Sequence, residues 1–307
     1  MAEHVLVTHA LTKRYGSTAV VDGVDLNIEK GQIYGLVGRN GAGKTTIIRM
    51  VSGQTVPSGG ALELFGASDT AGLEKMRSRT GVMVEIPSFY PYLTARENLE
   101  YYRIQRGIPG KECVEEVLRQ VNLTDTGRKK FKNFSLGMKQ RLGLALALMD
   151  HPDVLLLDEP INGLDPEGIV EFRNILLDLN RNRQTTILVS SHILSELANL
   201  ATHYGFIDKG HMLEQISAKA LAEKCRACLE VGVEDAAKAA QVLEQTLGTR
   251  DYEVLPGNVI RLYSHLNEAA QVTQALVSGG VALRSIEQKG ANLEDYFLAM
   301  IGGVHRG

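Results

Sequence analysis

The stretch QIYGLVGRNGAGKTTIIRM, residues 32 to 50, reads as three pieces of local structure in succession. QIYGLVG is a short apolar run ending in glycine, KTTIIRM has the apolar spacing of a helix, and a glycine-rich turn joins them. Gly38 to Thr45 fits G-x-x-x-x-G-K-[ST], a phosphate-binding loop, in the strand-to-helix context in which that pattern carries its chemistry. Gly38, Gly41 and Gly43 let backbone N–H groups around Asn40 close on phosphate oxygens, and the helix N-terminus adds its partial positive charge. Lys44 would meet the β and γ phosphates. Thr45 would place its hydroxyl on Mg²⁺, and Thr46 would face the α-phosphate side.

Two further apolar runs belong with this loop. DVLLLDEP, residues 153 to 160, has the continuous apolar character of a strand buried on both faces, and it ends in Asp158 and Glu159. Acids at the carboxyl end of a parallel strand stand where open α/β sheets keep their ligands. Successive side chains alternate along a strand, so the two acids are expected to serve different partners. Asp158 would hold Mg²⁺ through water. Glu159 would be the general base for an attacking water, because phosphoryl transfer needs a positioned nucleophile more than covalent help. TTILVSSH, residues 185 to 192, ends in His192 and follows the amphipathic EGIVEFRNILLDLNRN; strand, helix and strand imply a parallel crossover.

Outside these runs, VLVTHALTKRYG and AVVDGVDLNIEKG alternate apolar and polar residues as half-buried antiparallel strands do. From Thr94 to about Met149 the spacing is helical, which predicts an all-helical insertion over about 94–150. After about Gln215 the pieces become short: CLEVGV, EDAAKAAQVLEQTLG, YEVLP, NVIRLY, LNEAAQVTQALVSGG and VALRSIEQ. Their order is β-α-β-β-α-β, the ferredoxin-like plan, followed by a last helix in NLEDYFLAMIGG. The expected fold is therefore α/β, a P-loop ATPase domain over 1–215, with an α+β accessory domain over 216–307.

Composition bounds the function. A chain of 307 residues, 44% of them hydrophobic, can bury a large core. The apolar runs all fall short of the roughly 18 residues of a membrane span, and the N-terminus lacks the apolar core of a secretory signal; a cytosolic chain is expected. The formal charge of −3 argues against a globally basic nucleic-acid footprint. Cys225 and Cys228 form C-x-x-C, readable as a redox or metal pair, or as two reduced thiols on successive helical turns. A metal site would need a second pair.

With these motifs in this order, residues 4 to about 215 resemble the nucleotide-binding subunit of an ABC transporter. The resemblance implies further roles. Tyr15 matches the aromatic residue that stacks on adenine, Gly163-Leu164-Asp165 the D-loop, and His192 the switch histidine that senses the γ-phosphate. Ser135 to Gln140 match the signature loop, its five-residue consensus falling on Phe134-Ser135-Leu136-Gly137-Met138, and in it Ser135 and Gly137 would contact ATP held by a facing subunit. Taken alone, Ser135 is equally a plain helix N-cap.

Two departures from the family pattern matter. Leu136 replaces the first glycine of the signature, and Glu85 stands where a glutamine commonly touches Mg²⁺ and the attacking water. A carboxylate keeps the acceptor but loses the amide donor. Both resemble the bacitracin-resistance and lantibiotic-immunity branch of peptide exporters, as does Asn162 in EPINGLDPEGI. The aromatic IPSFYPYLTARENLEYY suggests Phe89, Tyr90 and Tyr92 as the rim of a groove for a permease helix, or as aromatic core of the helical insertion.

The resemblance implies an ATPase that uses ATP and Mg²⁺, pairs with a second ATPase subunit, expected as a homodimer, and powers an integral membrane permease exporting a peptide antibiotic or related amphiphile. It would sit peripherally on the inner face of the cell membrane without spanning it. The rival classes are a soluble ABC-type ATPase uncoupled from transport and a nucleotide-gated module without catalysis.

Overall fold

The computed structural model describes residues 3–84, 88–289, 296–298, 300 and 301. They divide into two compact units, Met1–Ala218 and Lys219–Gly307. The first begins with β1 (His4–Tyr15) and β2 (Thr18–Glu29), followed by β3 (Ile33–Gly38), α1 (Lys44–Val51), β4 (Gly59–Leu64), α2 (Thr70–Arg77) and β5 (Thr80–Val84). The helical insertion supplies α3 (Ala95–Gln105), α4 (Glu112–Gln120) and α5 (Leu136–Leu148). The chain returns through β6 (Val154–Asp158), α6 (Pro166–Arg183), β7 (Thr186–Ser191), α7 (Leu194–Leu197), β8 (His203–Asp208) and β9 (His211–Ser217).

The central sheet runs β5-β6-β7-β3-β8-β9. Its first five strands are mutually parallel, and only β9 is antiparallel, against β8. Parallel strands are covered on both faces, which explains why β3 and β7 are buried at every position. Parallel registry also brings the carboxyl ends of β3, β6 and β7 to one edge: Val37 lies opposite Ser191, and Asp158 opposite Ser190. An antiparallel sheet, β2-β1-β4, packs through Leu11, Val21 and Val24 into the core that holds Ile47, Ile48 and Val51 of α1.

The helical insertion is anchored by a capping box at α3: Glu97 N–H donates to Thr94 Oγ1 at 3.2 Å, and Thr94 N–H donates to the Glu97 carboxylate at 2.6 Å. Phe89 belongs to its core. It is 7% exposed and packs against Tyr102 and Phe131, whereas Tyr90 and Tyr92 are exposed. Of the three proposed rim residues, only the tyrosines remain on the surface.

The second unit follows α8 (Ala218–Lys224) with β10 (Cys228–Val233), α9 (Ala236–Thr246), β11 (Tyr252–Leu255), β12 (Val259–Leu262), α10 (Ala269–Ser278) and β13 (Leu283–Lys289). Its sheet order is β11-β12-β10-β13, antiparallel throughout. That is the ferredoxin-like arrangement. Leu229, Val231, Ile260 and Leu262 face Ala239 and Leu243 of α9 and Val272 and Leu276 of α10. On the strands' alternate positions, Glu230 accepts hydrogen bonds from Lys289 and Arg261, which hold its carboxyl below the usual glutamate range. Cys225 follows the end of α8 and Cys228 opens β10, so the pair does not lie on successive turns of one helix. Both are free thiols whose pKa burial pushes up.

Candidate functional site

The loop between β3 and α1 is shaped by its glycines. A Cβ on Gly38 would lie 2.5 Å from the Ile207 carbonyl oxygen. Gly43, the residue before α1, has φ +109°, and a Cβ there would meet the Val20 carbonyl oxygen at 2.8 Å. Only glycine permits both the turn and the close approach. Lys44 then enters the helix with its side chain 4% exposed. Its ammonium donates to the carbonyls of Gly38, at 2.7 Å, and Arg39, at 3.2 Å, and pairs with Glu159 Oε1 at 3.2 Å.

The acids after β6 are held by both neighbouring strands. Thr45 Oγ1 donates to Asp158 Oδ2 at 2.6 Å, and Ser190 Oγ donates to Asp158 Oδ1 at 2.6 Å. The same Ser190 hydroxyl accepts from Glu159 N–H at 2.9 Å. Glu159 does not continue the strand: its φ is +45°, in the left-handed region that a non-glycine residue enters at a cost. The two acids do have different partners, as expected, but strand alternation is not the reason. Both border one cavity of about 490 Å³ with Asn40, Gly43, Lys44, Thr45 and Thr46, and the backbone turn rather than the pleat gives them separate partners. Glu159 Oε2 lies 3.0 Å from His192 Nδ1 and 3.4 Å from Asn162 Nδ2.

A continuous polar line thus joins the loop, β6 and β7: Lys44, Glu159 and His192 in one branch, Thr45, Asp158 and Ser190 in the other. A hydroxyl and a carboxylate oxygen held 2.6 Å apart are the donor chemistry of a hard cation such as Mg²⁺, which keeps waters and phosphate oxygens as its remaining ligands. Beside this line Ser191 Oγ lies 3.1 Å from Glu196 Oε2. Burial pushes the Glu196 carboxyl above the usual glutamate range, with the nearby Glu159 charge adding to the rise and the Ser191 hydroxyl opposing it.

Ser135, Gly137 and Asp165 are gathered elsewhere. They border a second cavity, of about 410 Å³, with Arg141, Gly163 and Leu164. Ser135 caps α5, its hydroxyl accepting from Met138 N–H at 3.2 Å, and Asp165 caps α6, accepting from Gly168 N–H at 3.0 Å. Tyr15 is half exposed, with the Lys13 ammonium 5.1 Å from its ring centre, and does not border the Lys44 cavity. Glu85 lies outside the described residues. Sequence reasoning missed Ser190, whose only signal was a serine pair ending an apolar strand, and it read Gln140 as the end of the signature loop without placing it at the Lys44 cavity.

Comparison with known proteins agrees with this geometry. The family model described as "ABC transporter" matches residues 21–162. The chain is 44% identical over 299 residues to the bacitracin transport ATP-binding protein BcrA of Bacillus licheniformis, covering 97% of this chain and 98% of that protein. It is 39% identical over 203 residues to the lantibiotic transport ATP-binding protein SrtF of Streptococcus pyogenes, covering 66% of this chain and 86% of that protein. Among solved structures, it resembles the ATP-binding subunit of an ABC transporter at 26% identity, with TM-score 0.62 over 72% of this chain and 92% of that one. The dimeric cassette MJ0796 shares the fold at 23% identity, with TM-score 0.63 over 69% of this chain and 98% of that one.

Proposed function

This chain belongs to the ABC transporter family of ATP-binding proteins, and from that premise we propose that it hydrolyses Mg·ATP in a head-to-tail pair to drive export of a bacitracin-like peptide through a separate membrane permease. The observation that carries the ATPase reading is the line Lys44–Glu159–His192, in which one carboxylate joins the loop lysine to the histidine at the end of β7. The peptide substrate rests on the likeness to BcrA, which extends over nearly the whole chain. Among the described residues no helix is long and apolar enough to cross a membrane, so a translocation path has to come from a partner.

The chemistry follows from the contacts. The γ-phosphate competes with Glu159 for the Lys44 ammonium, and its arrival releases Glu159 Oε1. His192 keeps hold of Oε2, so the freed carboxylate stays oriented and takes a proton from the attacking water. Thr45 and Asp158 would hold Mg²⁺, which when bound neutralises the charge developing on the phosphate oxygens. Ser135 and Gly137 border a different cavity from Lys44. They serve ATP held by the facing chain, with a capped helix N-terminus as the anion-binding group.

The test begins with gentle solubilisation of native membranes and recovery of the protein with its partners. Coexpression with a polytopic membrane protein recovered in near-equal amount should raise the bacitracin tolerance of a sensitive host, and Glu159→Gln should abolish the gain. Recovery of soluble partners only, with full ATPase activity, would overturn the transport assignment and leave the ATPase.

A further inference from the structure

Gln140 is 6% exposed and borders the same cavity as Lys44, Thr45 and Asp158. Its side-chain oxygen is shut off from solvent and has no hydrogen-bond partner among the described residues. Buried amide oxygens are nearly always paired, because an unpaired one forfeits its hydration without return. Such a group beside a ligand cavity is satisfied when the ligand brings a donor. Nucleotide phosphates carry acceptors only, and the Lys44 ammonium is already engaged by two carbonyls and Glu159. The ribose hydroxyls and the adenine amine are donors as well, but beside Thr45 and Asp158 the donor that would come with the nucleotide is water on its accompanying cation. The terminal torsion of a glutamine carboxamide is broad, so rotation about it would be the movement that turns the enclosed oxygen toward the cavity.

The position of Gln140 in α5 gives this contact a reach beyond the cavity. Residues four apart share a face of a helix. Gln140 borders the nucleotide cavity, Gly137 and Arg141 border the cavity of Ser135 and Asp165, and Leu136 borders both. One helix therefore presents adjacent stripes to the two cavities, and its N-cap is Ser135 itself.

We propose that Gln140 is a positioning residue that accepts a hydrogen bond from the cation-bound water of the chain's own Mg·ATP, and so sets α5, with Ser135 at its N-terminus, according to whether that nucleotide is present. A chain that has bound its own nucleotide thereby offers an ordered signature loop to the facing one. The inference rests on the ATPase reading above and gives Gln140, at the end of the signature match, a role toward the chain's own nucleotide.

The experiment compares the wild type with Gln140→Leu, which keeps the volume and removes the oxygen, and Gln140→Glu, which keeps an acceptor. ATP affinity is measured by calorimetry with Mg²⁺ and with chelator, at a concentration where the chain is monomeric. Gln140→Leu should weaken Mg·ATP binding by roughly 3- to 10-fold, the range of one hydrogen bond, and leave ATP binding in chelator unchanged. Its nucleotide-free melting temperature should stay level or rise, since an unpaired buried oxygen has been removed. Hydrogen exchange at residues 136–141 should slow on Mg·ATP addition in the wild type and Gln140→Glu, but not in Gln140→Leu. A lower melting temperature with Mg·ATP affinity and α5 protection retained would make Gln140 merely structural and overturn the proposal. Failure of the wild type to bind Mg·ATP would instead overturn the ATPase reading on which it rests.

Discussion

The Lys44 ammonium sits 3.2 Å from Glu159 Oε1, with only 4% of the lysine side chain exposed. The loop cation and the candidate base are thus paired directly. A buried ammonium needs such a partner, and two carbonyls beside it complete its hydrogen bonds. On the proposed reading, nucleotide binding at this site would be an exchange of anions around one lysine, and the exchange would free the base.

Glu159→Gln therefore separates binding from turnover. The amide keeps the shape but can neither accept the water's proton nor compete as a charge for Lys44. Steady-state hydrolysis should fall by about 10²- to 10⁴-fold, while ATP affinity holds or increases and an ATP-bound dimer accumulates on size exclusion. Wild-type turnover in this variant would remove Glu159 from the role of base.

His192→Ala leaves Lys44 and the loop intact but withdraws the group that holds Glu159 Oε2, leaving it, among the described residues, Asn162 at 3.4 Å. Turnover should fall by roughly 10²-fold, as expected for a reacting group that loses its orientation, with ATP affinity close to wild type. An equal loss in affinity and turnover would show that His192 acts on binding instead.

Ser135→Asp distinguishes the cap from the nucleotide contact. Aspartate caps a helix as well as serine does, so unfolding free energy should stay within about 0.5 kcal/mol of wild type. The added negative charge would face a γ-phosphate across the dimer, and ATPase activity should be lost. A Ser135→Asp chain mixed with a Lys44→Ala chain should recover activity, because one complete composite site can form; groups supplied in trans to phosphoryl transfer are worth about 10³ to 10⁵ in rate. Confirmed pairing without recovery would place the signature loop outside the facing chain's site.

Glu196→Gln addresses pH. Burial raises the Glu196 pKa above its unfolded value, so the fold disfavours the ionised form. Stability is lost as pH rises from the ordinary glutamate value through the raised one, and the full penalty remains above it. The variant should melt higher than wild type near neutrality, with the difference shrinking toward acid, where both side chains are uncharged. A pH-independent difference would mean that packing, not ionisation, separates them.

The central chemistry was legible because it is written in contiguous residues. Gly38 to Thr46 and Asp158 with Glu159 each lie within one turn or strand end, where local geometry fixes what backbone and side chain can do; of Ser135 the residues alone give the helix cap, and its role toward nucleotide comes from the resemblance. The elements between Gly59 and Val84 were not read: α2 buries no residue and β5 has five, so neither carries much periodic signal. Phe89 and Tyr90 look alike in sequence, and only the packing of Tyr102 and Phe131 shows which one is core.

The sequence by itself determined the phosphate loop, the acids, the parallel α/β class and the ferredoxin-like order of the second unit, because glycine conformational freedom and apolar periodicity act over a few residues. Tertiary structure alone decided that Glu159 turns out of its strand to meet both Lys44 and His192, that Ser190 ties the two acids together, and that Gln140 borders the nucleotide cavity. The hydrogen bonds and the ion pair among them join residues from 31 to 115 positions apart. They exist because parallel registry brings three strand ends to one edge, and hydrophobic burial of those strands holds the edge in place.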